Sequence, residues 1–171
     1  MDIIDFTAEH AAAFKQLNLA WITEHWTVEA ADLKALDSPF ESIIDVGGAI
    51  LIGESDSVVV GTVALIPLTA GTLELAKMTV SKTVRGTGLG LALGLAALAR
   101  AKEMGARKVY LESNTILKPA ISLYEKLGFQ KLPDDARASP YERCNIRMER
   151  ANSPPRLVRV GAMRCISYLV C

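Results

Sequence analysis

The chain is 171 residues long, half of them hydrophobic and 22% charged, with 19 basic and 19 acidic side chains and no net charge. That length and composition suit one globular domain with its own core and argue against disorder. The longest unbroken apolar run, residues 89–99, falls short of the roughly 20 residues that a membrane-spanning helix needs.

Charge is spread unevenly, because every acid lies at or before Glu149 while Arg150, Arg156, Arg159 and Arg164 lie beyond it. The resulting mildly acidic body offers no electrostatic footprint for nucleic acid and favours cationic partners such as amines. The start, Met1-Asp2-Ile3-Ile4-Asp5, carries acids where a secretory signal carries bases, so a cytoplasmic location is expected. Cys144, Cys165 and Cys171 fit no zinc spacing and no disulfide framework, and they read as free thiols. No metal is expected.

In chain order, residues 2–6 read as a short strand, and Thr7 is placed to cap a helix over about 8–24 with Ala11, Phe14, Leu17 and Trp21 at helical spacing. A second helical piece, 28–36, stops before Ser38-Pro39. Trp21, His25 and Trp26 fall where the two helices meet, as core packing with one exposed histidine or as a substrate contact. Residues 48–54 and 58–65 form a predicted hairpin, followed after Ala70-Gly71 by a third strand over 72–80. A nearly all-apolar helix over about 89–104 is expected to be buried against the sheet, with Gly94 allowing close packing. The strand 108–112 must then run parallel to 72–80, because a helical crossover joins them. A short helix over 120–127 begins behind Pro119 and ends at Gly128, and strands over 129–132 and 143–148 complete a mixed α/β sandwich.

The connection Val84-Arg85-Gly86-Thr87-Gly88-Leu89-Gly90 carries the chemistry. A strand that stops, three glycines in five positions and an immediate helix leave the first helical N–H groups unpaired, which makes an anion site. Gly86, Gly88 and Gly90 let a phosphate approach the amides closely, and Arg85 adds a fixed positive charge. No Lys-Ser or Lys-Thr follows the glycines as a Walker loop requires, and Leu91 or Leu93 stands where a dinucleotide fingerprint needs its third glycine.

What fits is R-x-x-G-x-G, read as Arg85, Gly88 and Gly90, which resembles the coenzyme A pyrophosphate loop of the GNAT superfamily of N-acetyltransferases. Two further stretches extend the resemblance over about residues 2–149. Leu123-Tyr124-Glu125-Lys126-Leu127-Gly128-Phe129 is similar to the family's tyrosine-bearing helix, and Glu74-Leu75 to its glutamate-bearing fourth strand. The resemblance implies the GNAT fold, a mixed and mostly antiparallel sheet flanked by helices, in a domain over 1–150. It also implies acetyl-coenzyme A as cosubstrate, its pyrophosphate on residues Arg85, Gly86, Thr87, Gly88, Leu89 and Gly90. In proteins resembling this one the fourth and fifth strands splay, and the pantetheine arm lies between them along Met78, Thr79 and Val80. The chain departs from the family at Leu117, where many members carry Asn; Asn114 is the nearest amide and a candidate substitute.

Acetyl transfer to an amine also needs a base and an acid. Tyr124 is the candidate acid, since a phenol can return a proton to a departing thiolate; its alternative is a core tyrosine satisfied by the backbone. Glu74 is the candidate base, unless Lys77, three residues on, pairs with it. Glu112 is a weaker candidate for holding a cationic substrate, and His10 and His25 read as helix-surface residues. The expected reaction is direct acetylation of a small-molecule primary amine, with a peptide amine (an N-terminus or lysine) or a non-catalytic acyl-coenzyme A sensor as alternatives. The stretch 151–171 is broken by Pro154-Pro155 and reads as a frame-shifted or otherwise non-native extension with no catalytic part. Its apolar runs, 157–160 and 166–170, suit docking as strands or association, so a homodimer is conceivable.

Overall fold

A computed structural model of the chain describes residues 1–133 and 139–152. Seven strands form one sheet: β1 Asp2–Asp5, β2 Ala49–Ser55, β3 Val58–Thr69, β4 Thr72–Val80, β5 Lys108–Ser113, β6 Gln130–Lys131 and β7 Ile146–Ala151. Their order across the sheet is β1-β2-β3-β4-β5-β7-β6, antiparallel throughout except for β4 and β5, which are parallel as the intervening helix requires. Four α-helices flank the sheet: α1 Ala11–Ile22, α2 Ala30–Asp37, α3 Leu89–Glu103 and α4 Lys118–Lys126. The mixed, mostly antiparallel α/β architecture is the one expected.

Each face of the sheet has its own core. Leu93, Ala97, Leu98 and Ala101 of α3 pack with Leu127 on Val63, Leu65, Leu75, Val109, Leu111 and Met148. Phe14 and Ile22 of α1 and Leu36 of α2 pack on Ile50, Ile52 and Ala64. Burying a side chain of this size is worth about 1.5–3 kcal/mol. On the second face α1 and α2 cover β2 and β3 and reach the bulged part of β4, and the rows beyond, Glu74, Tyr110, Glu112 and Arg147, are polar. That uncovered part is where the site forms.

Several boundaries differ from expectation for physical reasons. The first predicted helix begins as a 3₁₀ turn, Ala8–His10, in which the Thr7 N–H donates to Nδ1 of His10 at 2.9 Å. His10 is accordingly not a free surface residue: its ring packs near Phe6 and lies 3.6 Å from Glu54. An unpredicted π-helical turn, Phe40–Ile44, precedes β2. β3 runs on to Thr69 through Pro67, which is tolerated because β2 ends opposite Leu65 and leaves that side of β3 without a ladder. α3 is buried on one face only: Leu91 and Leu95 are exposed, since a helix presents a single stripe to a sheet. The last strand starts at Ile146, three residues late, because a turn in which Cys144 N–H donates to Tyr141 O precedes it. It reaches Ala151, and Asn152 is buried with its amide on Ala106 O. The runs 157–160 and 166–170, with Cys165 and Cys171, lie outside the described residues.

Gly48 joins the π-helical turn to β2, and a Cβ there would lie 2.5 Å from the backbone oxygens of both Ile43 and Leu65. Neither oxygen can swing aside. Gly48→Ala is therefore expected to cost about 1–3 kcal/mol, read as a lowered urea midpoint at unchanged slope.

Candidate active site

β4 and β5 pair only at Thr72–Lys108, Leu73–Val109 and Glu74–Tyr110. Beyond Glu74 the strands part, and the β5-facing edge of β4 has no strand beside it, while β5 stays paired with β7 through Ser113. An unpaired strand edge offers main-chain donors and acceptors to an extended guest. The wedge opens into a cavity of about 380 Å³ lined by Glu74, Met78, Arg85, Asn114 and Tyr124 among the candidate residues. Thr79 and Val80 are not among the lining residues, and the Thr79 hydroxyl is buried with no partner among the described residues.

The bend of β4 has a covalent-geometry cause. Thr62 faces Thr79 and Ala64 faces Ala76, so Lys77 and Met78 together oppose Val63 in a β-bulge, with Lys77 at φ 50°. A buried hydrogen-bond chain holds it. Asn18 of α1 donates to Phe14 O and to Thr62 Oγ1, and Thr62 Oγ1 donates to Lys77 O at 2.8 Å.

At the other end of β4, the turn into α3 places Gly86 at φ 83° and Gly88 at φ 93°. Among the described residues the amides of Gly86, Gly88, Leu89 and Gly90 donate to no acceptor, whereas the Thr87 amide and hydroxyl both turn back to Val84 O. A run of free amides at the start of a fifteen-residue helix is suited to a diphosphate. Arg85 stands beside it, but its guanidinium is held by Glu24 from beyond the end of α1, at 3.1 Å, with Lys82 on the same carboxylate at 3.2 Å. The hydrogen bond from Arg85, aided by Lys82, keeps the Glu24 carboxyl below its usual range.

Glu74 makes no hydrogen bond or ion pair among the described residues. Burial, reinforced by the neighbouring Glu112 and only partly offset by Lys77, pushes its carboxyl up to about 7. Lys77 does not pair with Glu74: its ammonium lies 2.9 Å from Asp32 Oδ1 and donates to Tyr141 Oη at 3.0 Å. Asp32 is fully buried and also accepts two hydrogen bonds from Arg143, both at 2.7 Å. Burial opposes its charge, but Arg143 and Lys77 win and hold the carboxyl below the usual range. Glu112 is engaged as well, accepting from Tyr110 Oη, Ser139 Oγ and Arg147.

Tyr124 reaches the cavity from α4, and its hydroxyl has no hydrogen-bond partner among the described residues. Burial, with Cys144 nearby, pushes the phenol up to about 12. The Cys144 thiol is itself pushed up to about 11 by burial and by Glu112. The carboxamide of Asn114 is committed to structure, donating to Arg143 O and accepting from Ile116 N–H. Trp21, His25 and Trp26 wall the cavity, Trp21 also packs on the core beneath α1, and His25 is exposed. Asn18, Thr62, Asp32, Tyr141 and Arg143 were not evident as site residues, since each is placed by a partner distant in sequence. No group of three or more metal-ligating side chains occurs among the described residues.

A family model for the GNAT acetyltransferases matches residues 11–129. The chain is 36% identical over 118 residues, 67% of its own length and 71% of the relative's, to an Escherichia coli K12 protein named uncharacterized N-acetyltransferase YjgM. A GNAT-family acetyltransferase from Staphylococcus aureus Mu50 superimposes with a TM-score of 0.79 at 21% identity, covering 89% of this chain and 99% of that one. YncA of Salmonella typhimurium, solved with its cofactor acetyl-CoA, superimposes with a TM-score of 0.68 at 19% identity, covering 90% and 94%. The chain belongs to the GNAT family and is by class an acetyl-CoA-dependent N-acetyltransferase.

Thr62→Val keeps the shape of the side chain but leaves Lys77 O and one Asn18 hydrogen buried and unpaired. A loss of about 1–3 kcal/mol in unfolding free energy is expected, with turnover falling as the bulge relaxes.

Proposed function

We propose that this chain transfers an acetyl group from acetyl-CoA directly to the primary amine of a small molecule. The observation that carries the reading is Glu74: among the described residues the cavity's other carboxylates, Glu24, Asp32 and Glu112, are occupied by cations or hydroxyls, and this one has no such partner. A cavity of about 380 Å³ walled by Trp21, Trp26 and Tyr141 suits a small acceptor better than a folded protein surface.

Acetyl-CoA supplies the activated acetyl thioester. The free amides of Gly86, Gly88, Leu89 and Gly90, with Arg85, hold the pyrophosphate, and the open edge of β4 at Met78 to Val80 receives the pantetheine arm. The Met78 N–H lies on the bulge at that edge and is suited to polarising a carbonyl oxygen, an effect worth roughly 3 kcal/mol per donor. Glu74, ionised above about 7, takes a proton from the acceptor's ammonium, directly or through water. Tyr124 keeps its proton throughout the physiological range and gives it to the departing sulfur. Cys144 stays protonated for the same reason, which favours direct attack over an acyl relay through the protein. Asn114, with its amide engaged at the loop, contributes by shaping the wall.

Tyr124→Phe is expected to lower kcat by roughly 10²-fold or more without weakening acetyl-CoA binding, whereas Arg85→Ala weakens that binding roughly tenfold or more in calorimetry. Unchanged turnover in Tyr124→Phe on a panel of polyamines, amino acids, aminoglycosides and aryl amines refutes the acid. Acetyl-CoA binding with no thiol release on any amine would leave a sensor.

The pH dependence has a definite sign. A base is competent when deprotonated, so kcat/KM rises through a limb near 7 and then levels, and Glu74→Gln removes that limb. For stability the folded carboxyl keeps its proton where the unfolded one, near 4.5, has lost it. Wild type is therefore expected to lose stability relative to Glu74→Gln as pH rises from about 4.5 through 7, measured by thermal melts.

A further inference from the structure

Lys77 is three residues from Glu74 on one strand, yet its ammonium is drawn away to Asp32 and Tyr141. We propose that Asp32 is a positioning residue that captures Lys77 and thereby keeps Glu74 unpaired for the acceptor amine. This rests on Glu74 being the base.

The geometry supports it from both ends. The bulge gives Lys77 a φ of 50° and so turns its side chain off the regular alternation of β4, toward α2. Asp32 lies in the first turn of α2, fully buried, and its position is fixed independently of Lys77: it accepts twice from Arg143, and its Oδ2 accepts the Glu29 N–H at 3.2 Å. Glu29 takes a further hydrogen of Arg143 at 2.8 Å and the Glu142 N–H at 3.0 Å, which closes the cluster on its far side. Both cations also approach the Tyr141 ring, with Lys77 Nζ 4.8 Å and Arg143 Cζ 4.6 Å from its centroid. The ammonium is thus held by a charge, a hydroxyl and a ring, and only 6% of its side chain is exposed.

Charge accounting explains why the capture matters. Among the described residues, the titratable and charged groups around Glu74 are Lys77 on its own strand, Tyr110 and Glu112 on β5, Arg147 on β7, Tyr141 and Arg143 on the loop before β7, and Asp32 on α2. Arg147 is engaged by Glu112 and Arg143 by Asp32 and Glu29. Lys77 is the cation on Glu74's own strand, and an ammonium seated on a carboxylate both lowers its basicity and blocks an incoming amine. Neutralising Asp32 removes the competitor for that ammonium.

The test is a cycle of Asp32→Asn, Lys77→Met and the double substitution in the full chain, with activity profiled against pH and the structure of Asp32→Asn determined. Asp32→Asn is expected to move the acidic limb of kcat/KM down by about one pH unit or more and to lower turnover roughly tenfold, as Lys77 turns to Glu74. The double substitution is expected to bring the limb back to the wild-type position or above it and to recover most of the turnover. An unmoved limb in Asp32→Asn, or a double substitution as impaired as the two singles combined, overturns the proposal. The structure of Asp32→Asn decides separately from the identity of the base: Lys77 Nζ within about 4 Å of the Glu74 carboxylate supports the capture, and Lys77 remaining on Tyr141 overturns it. If Glu74→Gln left the limb in place, the base assignment would fail while this structural arm still stood. Should Asp32→Asn not fold, Lys77→Met alone is informative. A limb within about half a unit of wild type fits a captured ammonium, and a rise of more than about one unit shows that it already sits on Glu74.

Discussion

The site depends on the parting of two parallel strands. Three registered pairs hold β4 to β5, and after Glu74 they diverge because a bulge at Lys77 and Met78 adds a residue that β3 does not match. That single extra residue bends β4, frees its edge and turns a lysine toward α2, where Asp32 and Tyr141 hold it. It is stabilised by two buried polar side chains: Thr62 donates to Lys77 O, and Asn18 holds Thr62 while also donating to Phe14 O. An interior that spends buried polar groups in this way has fixed a backbone shape that an all-apolar core would let relax.

A second constraint is electrostatic segregation. Among the described residues the lysine and arginines of the cavity wall are Lys77, Arg85 and Arg143, and each has an acidic partner within 3.1 Å. Such pairing cancels their fields at short range, so the cavity is charged on paper and close to neutral in effect. The acid left over, Glu74, then experiences burial more than attraction, which is why its carboxyl rises toward neutrality. A reader counting cations around the cleft would expect a carboxylate-bearing substrate, and the pairing removes that expectation.

Local chemistry was legible in the sequence where neighbours in the chain are neighbours in space. The glycines and Arg85 announced the loop, and the strand, helix, strand order required the parallel pair. Gly94 was rightly placed at a close contact, since a Cβ there would run into the Leu127 side chain. Hidden were the features that depend on distant partners. Asp32 looked like one charge on an amphipathic helix, and nothing local shows that it meets Lys77, 45 positions on, and Arg143, 111 positions on. Asn18 stands at the spacing of Phe14 and Ile22, so a polar residue on the buried stripe was the available clue. The bulge could not be read either, because an inserted residue in a strand changes no composition.

Glu24 has a consequence for how the loop waits for its guest. A long arginine beside free amides would ordinarily sample many rotamers, and its ordering would weigh against each association event. Bridging Arg85 and Lys82 to one carboxylate restrains that motion, yet two cations on one anion leave a surplus of one positive charge beside the loop. If the loop takes a diphosphate as proposed, that guest competes with Glu24 for an arm that is already restrained beside it.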